Sequence, residues 1–170
     1  MNLNRLKKDL ILKNGIIVDP FNQNSFEGSI WVKNGRVAGI GDFEIPNKED
    51  AKVIDCNNKI ITHGFCDLHA HFRALGENDK EDFESGSRSA LSGGFTRVCV
   101  MPNTLPPIDS PELISYVKNE GIKTPVYVHP VGAVTKDQKG KHITEMNLMF
   151  KEGAVAFSDD GLPIQNGAIT

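Results

Sequence analysis

The run Asp67-Leu68-His69-Ala70-His71-Phe72-Arg73 gathers four ionisable side chains at a spacing of two. Side chains alternate along a β-strand, so Asp67, His69, His71 and Arg73 would share one face and Cys66, Leu68, Ala70 and Phe72 the other. The apolar face is expected to pack under helices, while four ionisable groups on the opposite face are costly to bury without partners. A metal ion resolves that cost. Two imidazoles two residues apart on one strand can both reach a single cation, and neutral histidine nitrogen is a standard zinc ligand. Arg73, one step further, would set a planar cationic fork beside the metal, a shape suited to a carboxylate. A bare His-x-His pair is more often incidental than a metal site. Here it stands on a strand with an acid and an Arg in phase.

Two further segments put polar groups where strands should end. Met101-Pro102-Asn103-Thr104 follows one β-type run and Ser158-Asp159-Asp160-Gly161 another. In sheets built from βα units, ligands bind beyond the carboxyl ends of the strands. Asn103 is therefore placed to read a substrate, and one of Asp159 and Asp160 to bridge metals. Each has a plainer reading, Asn103 as the cap of a turn and Asp160-Gly161 as an ordinary Asp-Gly turn. His129, before Pro130 on a strand, and His142, in a lysine-flanked loop, read as structural or surface groups. His63 precedes the strand and stands outside the ligand pattern.

The elements that must position these groups follow from periodicity. Residues 10–18, 30–40 and 53–61 are β-type runs. Asn14-Gly15 and Asn34-Gly35 within the first two are the strongest two-residue hairpin signal, since both positions tolerate positive φ. They predict a small β-rich module of paired hairpins over residues 1–62. From 63 to 170, strand, loop and helix repeat, with strands at 65–72, 96–101, 125–134 and 155–158 and helices at 81–91, 111–120 and 143–152. Phe83, Gly86, Ser87, Ala90 and Leu91 recur at helical spacing in the first helix. Pro111 opens the second and Gly121 should stop it; Met146, Met149 and Phe150 share a face of the third. Repeated βα units imply a parallel sheet with covering helices, an α/β fold.

Composition narrows the function classes. In 170 residues, 39% are hydrophobic and 24% charged, with 19 basic against 22 acidic side chains and a formal net charge of −3. That balance excludes disorder as the main state. No apolar run approaches the roughly 20 residues that span a bilayer, and MNLNRLKKDL lacks an apolar segment behind its basic residues, so neither membrane insertion nor export is expected. A pI near 5.9 without a basic block argues against nucleic acid as a partner. The three cysteines, Cys56, Cys66 and Cys99, form no CxxC pair, which points to a reduced, cytoplasmic protein.

Taken in order, the run from Asp67 to Arg73, Gly93-Gly94-Phe95-Thr96, Met101-Pro102-Asn103-Thr104 with Pro106-Pro107, and Phe157-Ser158-Asp159-Asp160-Gly161 resemble the dihydroorotases of the bacterial type I kind, within the amidohydrolase superfamily. The resemblance runs over essentially the whole chain. It implies the amino-terminal part, about four βα units, of a (β/α)8 TIM-like barrel, preceded by the small β-rich module. It implies His69, His71 and Asp160 as ligands of zinc, one or two ions in a complete site, with Asp160 bridging in two-metal members. His71, Arg73 and Asn103 would bind substrate, the last two at its carboxylate. The implied activity is the reversible cyclisation of N-carbamoyl-L-aspartate to (S)-dihydroorotate in de novo pyrimidine biosynthesis.

Other cyclic amidohydrolases, namely dihydropyrimidinases, hydantoinases and allantoinases, are the alternative. Hydantoinases and allantoinases resemble this scaffold but use a modified lysine near Asp160, and no lysine lies between Val155 and Thr170. A non-catalytic dihydroorotase-like subunit of aspartate transcarbamoylase is the rival from another class; such subunits tend to lose the metal ligands retained in this chain. The protein partners that the resemblance suggests are a second copy, as a homodimer, and aspartate transcarbamoylase. The chain departs from the family at Ala74-Leu75, where Glu-Pro is usual, and at His63, where Pro is common. A closed barrel takes about 250 residues. The family's acid/base Asp and two further metal-binding His are therefore expected beyond Thr170, and residues 1–170 alone are expected to be inactive.

Overall fold

The computed structural model describes residues 9–44, 51–165 and 167–169; the basic run within residues 1–8 lies outside them. Two compact units divide between His63 and Gly64.

In the first unit the described strands form a five-stranded sheet. β1 (Asp9–Asp19) pairs antiparallel with β2 (Asn24–Lys33), which pairs antiparallel with β3 (Arg36–Gly41). β4 (Ala51–Asp55) and β5 (Ile60–Ile61) both run parallel to β1. Asn34 and Gly35, at φ 50 and 72, turn β2 into β3, as two positive φ values in succession allow. Asn14-Gly15 does not turn the chain. Asn14 has φ 61, but Lys13 and Asn14 together oppose the single Ser29 of β2 and Gly15 is back in register with Gly28, so Asn14 lies in a β-bulge inside a continuous β1. Tertiary contacts explain the difference: Asn14 Nδ2 donates to Asp55 Oδ1 at 3.1 Å, and a Cβ on Gly15 would stand 2.5 Å from Ile61 Cδ1. The run at 53–61 is likewise broken, where the Lys59 N–H donates to the Cys56 carbonyl at 2.8 Å. Paired hairpins are thus only part of this module, because its last two strands add in parallel. Ile17, Cys56 and Ile61 form its buried cluster.

The second unit repeats strand and helix. β6 (Phe65–Ala70), β7 (Phe95–Val100), β8 (Tyr127–Gly132) and β9 (Ala156–Phe157) lie side by side in chain order, all parallel, with α1 (Phe83–Ser92), α2 (Pro111–Gly121) and α3 (Met146–Glu152) between them. Local sequence starts two of the helices. Asp82 and Ser85 form a reciprocal capping box at α1, and the Ser85 N–H holds the Asp82 carboxyl below its ordinary pKa. Ser110 caps α2, with Pro111 in its first turn. Val98 and Val100 of β7 pack with Ile114 and Val117 of α2, Val128 of β8 and Met149 of α3 in the main core, while Cys99, Met101 and Val131 cluster on the opposite side of the sheet. No helix among the described residues is long and apolar enough to cross a membrane.

Four expectations change here. Gly121 is the last residue of α2, with no positive φ, followed by Ile122 in right-handed helical geometry. Its small size matters because a Cβ there would lie 2.9 Å from Val128 Cβ. The third helix starts at Met146, since Ile143 is bridged to Thr135. Phe150 is 65% exposed and does not share the burial of Met149. Finally, Leu68 is 72% exposed and Cys66 is exposed, so the apolar side of β6 meets the helical core only at Ala70 and Phe72. Among the described residues β6 has a neighbour, β7, on one side only.

Phe72 in turn depends on a glycine. A Cβ on Gly86 of α1 would stand 2.6 Å from Phe72 Cδ1. Gly86→Ala is expected to destabilise the second unit by about 1–3 kcal/mol through overpacking, which urea unfolding of the purified protein would measure. Unchanged stability would mean that Phe72 is free to move aside.

Candidate metal centre

The carboxyl ends of β6, β7 and β9 bring three distant segments to one place. β6 carries His69 near its end, and His71 follows it; Asn103 lies in the loop past β7, and Asp160 in the turn past β9. Each is held by its own backbone contacts. The His69 N–H donates to Asp67 Oδ1 at 3.0 Å. The Asn103 loop is pinned by the Ile108 N–H on the Pro102 carbonyl at 3.0 Å, the Leu105 N–H on the Leu75 carbonyl at 2.7 Å and the Thr104 hydroxyl on the Pro106 carbonyl at 2.7 Å. Asp160 takes a left-handed φ of 53, and its N–H donates to Ser158 Oγ at 2.9 Å.

His69 Nε2 lies 3.0 Å from Asp160 Oδ1 and 3.2 Å from His71 Nε2, and His71 Nε2 lies 3.9 Å from Asp160 Oδ2. One donor atom from each of the three residues falls within 4.8 Å of the others. Around a tetrahedral zinc ion with bonds of about 2.0–2.1 Å, neighbouring donor atoms stand roughly 3.3 Å apart. The two imidazole nitrogens are therefore already at the separation one cation requires. Two neutral imidazoles and a carboxylate suit a divalent metal of borderline softness, and three protein donors leave room for water or substrate. Asn103 stands in the middle: its Oδ1 lies 2.9 Å from His71 Nδ1 and its Nδ2 donates to Asp160 Oδ2 at 2.6 Å.

The structure thus brings His69, His71, Asn103 and Asp160 together. Arg73 does not follow by alternation, because β6 ends at Ala70 and Arg73 itself adopts φ 55. Its guanidinium meets Glu77, Nη1 to Oε2, at 3.8 Å. His129 lies elsewhere, with Nε2 3.2 Å from Arg97 Nη1, and burial together with the Arg97 charge lowers its pKa. His142 is exposed in its loop. Asp159, equivalent to Asp160 in the sequence, has a different job. The residue is 5% exposed, and its carboxylate accepts from the Val134 N–H at 2.8 Å, the Thr135 N–H at 3.0 Å and the Thr135 hydroxyl. It anchors the loop after β8. No local signal in Asp-Asp-Gly separates these two roles, because the partners come from distant loops.

Solved enzymes share this parallel βα arrangement. The solved L-hydantoinase (dihydropyrimidinase) from Arthrobacter aurescens shares it, with a TM-score of 0.70 and 28% identity over 88% of this chain and 32% of that one. A solved D-hydantoinase matches with a TM-score of 0.63 and 26% identity over 85% of this chain and 29% of its own. The chain belongs to the Dihydro-orotase-like family, whose pattern matches residues 58–170. The curated dihydroorotase of Pelotomaculum thermopropionicum is 39% identical over 160 residues, and that of Caldanaerobacter subterraneus subsp. tengcongensis 44% identical over 164. Each alignment takes in 94% of this chain and 37% of the relative, so the chain spans a little over a third of their length.

Proposed function

We propose that the chain forms the amino-terminal part of a (β/α)8 dihydroorotase that uses zinc to interconvert dihydroorotate and N-carbamoyl-L-aspartate. The observation that carries the reading is the meeting of His69 Nε2, His71 Nε2 and Asp160 at the carboxyl edge of the parallel sheet, in a chain of this family. His69, His71 and Asp160 would hold the metal. When bound, zinc polarises a carbonyl oxygen and lowers the pKa of water toward about 7. In the hydrolytic direction water adds at the ring amide carbon, the carbon–nitrogen bond breaks and the nitrogen takes up a proton, giving the open carbamoyl aspartate; cyclisation is the reverse. The second N–H of Asn103 Nδ2 and the guanidinium of Arg73 would hold the substrate carboxylate, with His71 beside them. Such charge-assisted bonds orient the ring and exclude uncharged ones.

The test compares substrates. The full-length enzyme of which this chain forms the amino-terminal part is expected to open dihydroorotate at least roughly a hundredfold faster, by kcat/KM, than hydantoin or dihydrouracil, since a ring without the carboxylate forfeits the charged bonds to Asn103 and Arg73. Preference for an uncharged ring would point to the hydantoinase alternative, whereas inactivity toward all three would favour a non-catalytic subunit.

A further inference from the structure

We propose that Asn103 is a positioning residue for the metal ligands, over and above its contact with substrate, an inference that rests on the metal reading above. Its amide is polarised in a known sense, because Nδ2 donates to the Asp160 carboxylate at 2.6 Å and the oxygen must therefore be the atom facing His71. A carbonyl oxygen only accepts, and a neutral imidazole carries a single N–H. At 2.9 Å from Asn103 Oδ1, His71 Nδ1 is the atom that bears it. The lone pair is thereby left on Nε2, the nitrogen that lies 3.2 Å from His69 Nε2.

The same amide restrains the carboxylate. By holding Asp160 Oδ2 it leaves Oδ1 turned to His69 Nε2 at 3.0 Å. One side chain thus selects the tautomer of one ligand and the rotation of another, linking segments 32 and 57 residues apart in the chain. Its loop is braced by the Pro102, Leu75 and Pro106 carbonyls, so the amide is presented from a fixed platform. Partners of this kind, which accept the second imidazole N–H of a ligand, typically set metal affinity by about 10- to 100-fold.

Asn103→Leu and Asn103→Ala each remove both bonds. Zinc affinity of the whole protein, measured by chelator competition, is expected to fall about 10- to 100-fold in both. In the metal-stripped protein at alkaline pH, proton–nitrogen correlation NMR should show His71 as the Nδ1–H tautomer in the wild type and not in these variants. Asn103→Asp keeps an oxygen acceptor opposite Nδ1 and should restore that tautomer, a rescue that a loss of folding would not produce. If the Leu and Ala variants keep wild-type zinc affinity and tautomer while KM for dihydroorotate rises, Asn103 touches substrate only and the inference fails. A wild-type protein that binds no zinc at all would remove the metal reading, and this one with it, and is told apart by that measurement.

Discussion

In the full-length enzyme, His71→Ala is expected to strip the site of zinc and to reduce turnover of dihydroorotate to background. The side chain contributes the nitrogen 3.2 Å from His69 Nε2, and its removal also leaves Asn103 Oδ1 without the ring N–H it faces. Loss of affinity should exceed the about 10- to 100-fold that removal of an outer partner costs, because a donor atom itself is gone. His69→Ala should behave alike. The control is His129→Ala, whose ring faces Arg97 and whose loss should leave the metal in place. Metal content after dialysis, read by elemental analysis alongside a thermal unfolding curve, separates lost ligation from lost folding. Should both His69→Ala and His71→Ala retain wild-type zinc, the site has been misassigned.

Asp159→Ala should unfold the second unit far more easily while Asp160→Ala should not, although the two residues are neighbours in the chain. Asp159 is 5% exposed, and its removal strands the Val134 and Thr135 N–H groups and the Thr135 hydroxyl. An unsatisfied buried donor costs about 1–3 kcal/mol. With some relief from entering water, the sum is about 3–5 kcal/mol, a large part of the roughly 5–15 kcal/mol that holds a typical domain folded. Asp160 accepts from the Asn103 amide near the open edge of the sheet, so its replacement should change stability by less than about 1 kcal/mol and abolish zinc binding. Urea unfolding and metal content measured on both variants give the answer. Equal stability losses in the pair would refute the division of labour between them.

Much of the architecture was legible because it is written within a turn or two of chain. The alternation of strand and helix from residue 63, the Asp82 and Ser110 caps and the Asn34-Gly35 turn all depend on neighbours a few residues away. So does the nearness of His69 to His71, two residues apart at the end of β6. Other features depend on distant contacts and could not be read that way. Asn14-Gly15 has the composition of a turn but falls at a bulge, because Asp55 and Ile61 meet it from other strands. Arg73 has the right spacing to join the histidines, yet the strand ends at Ala70 and Arg73 turns to a left-handed φ beside Glu77. Local sequence alone does not separate Asp159 from Asp160, and it was the family resemblance that pointed to Asp160. The tertiary structure gives them different surroundings, with donors from the loop after β8, 24 and 25 residues away, around Asp159, and Asn103, 57 residues away, beside Asp160. Short-range periodicity determines which groups can share a face; only the side-by-side assembly of the parallel strands determines which of them come within bonding distance of one another.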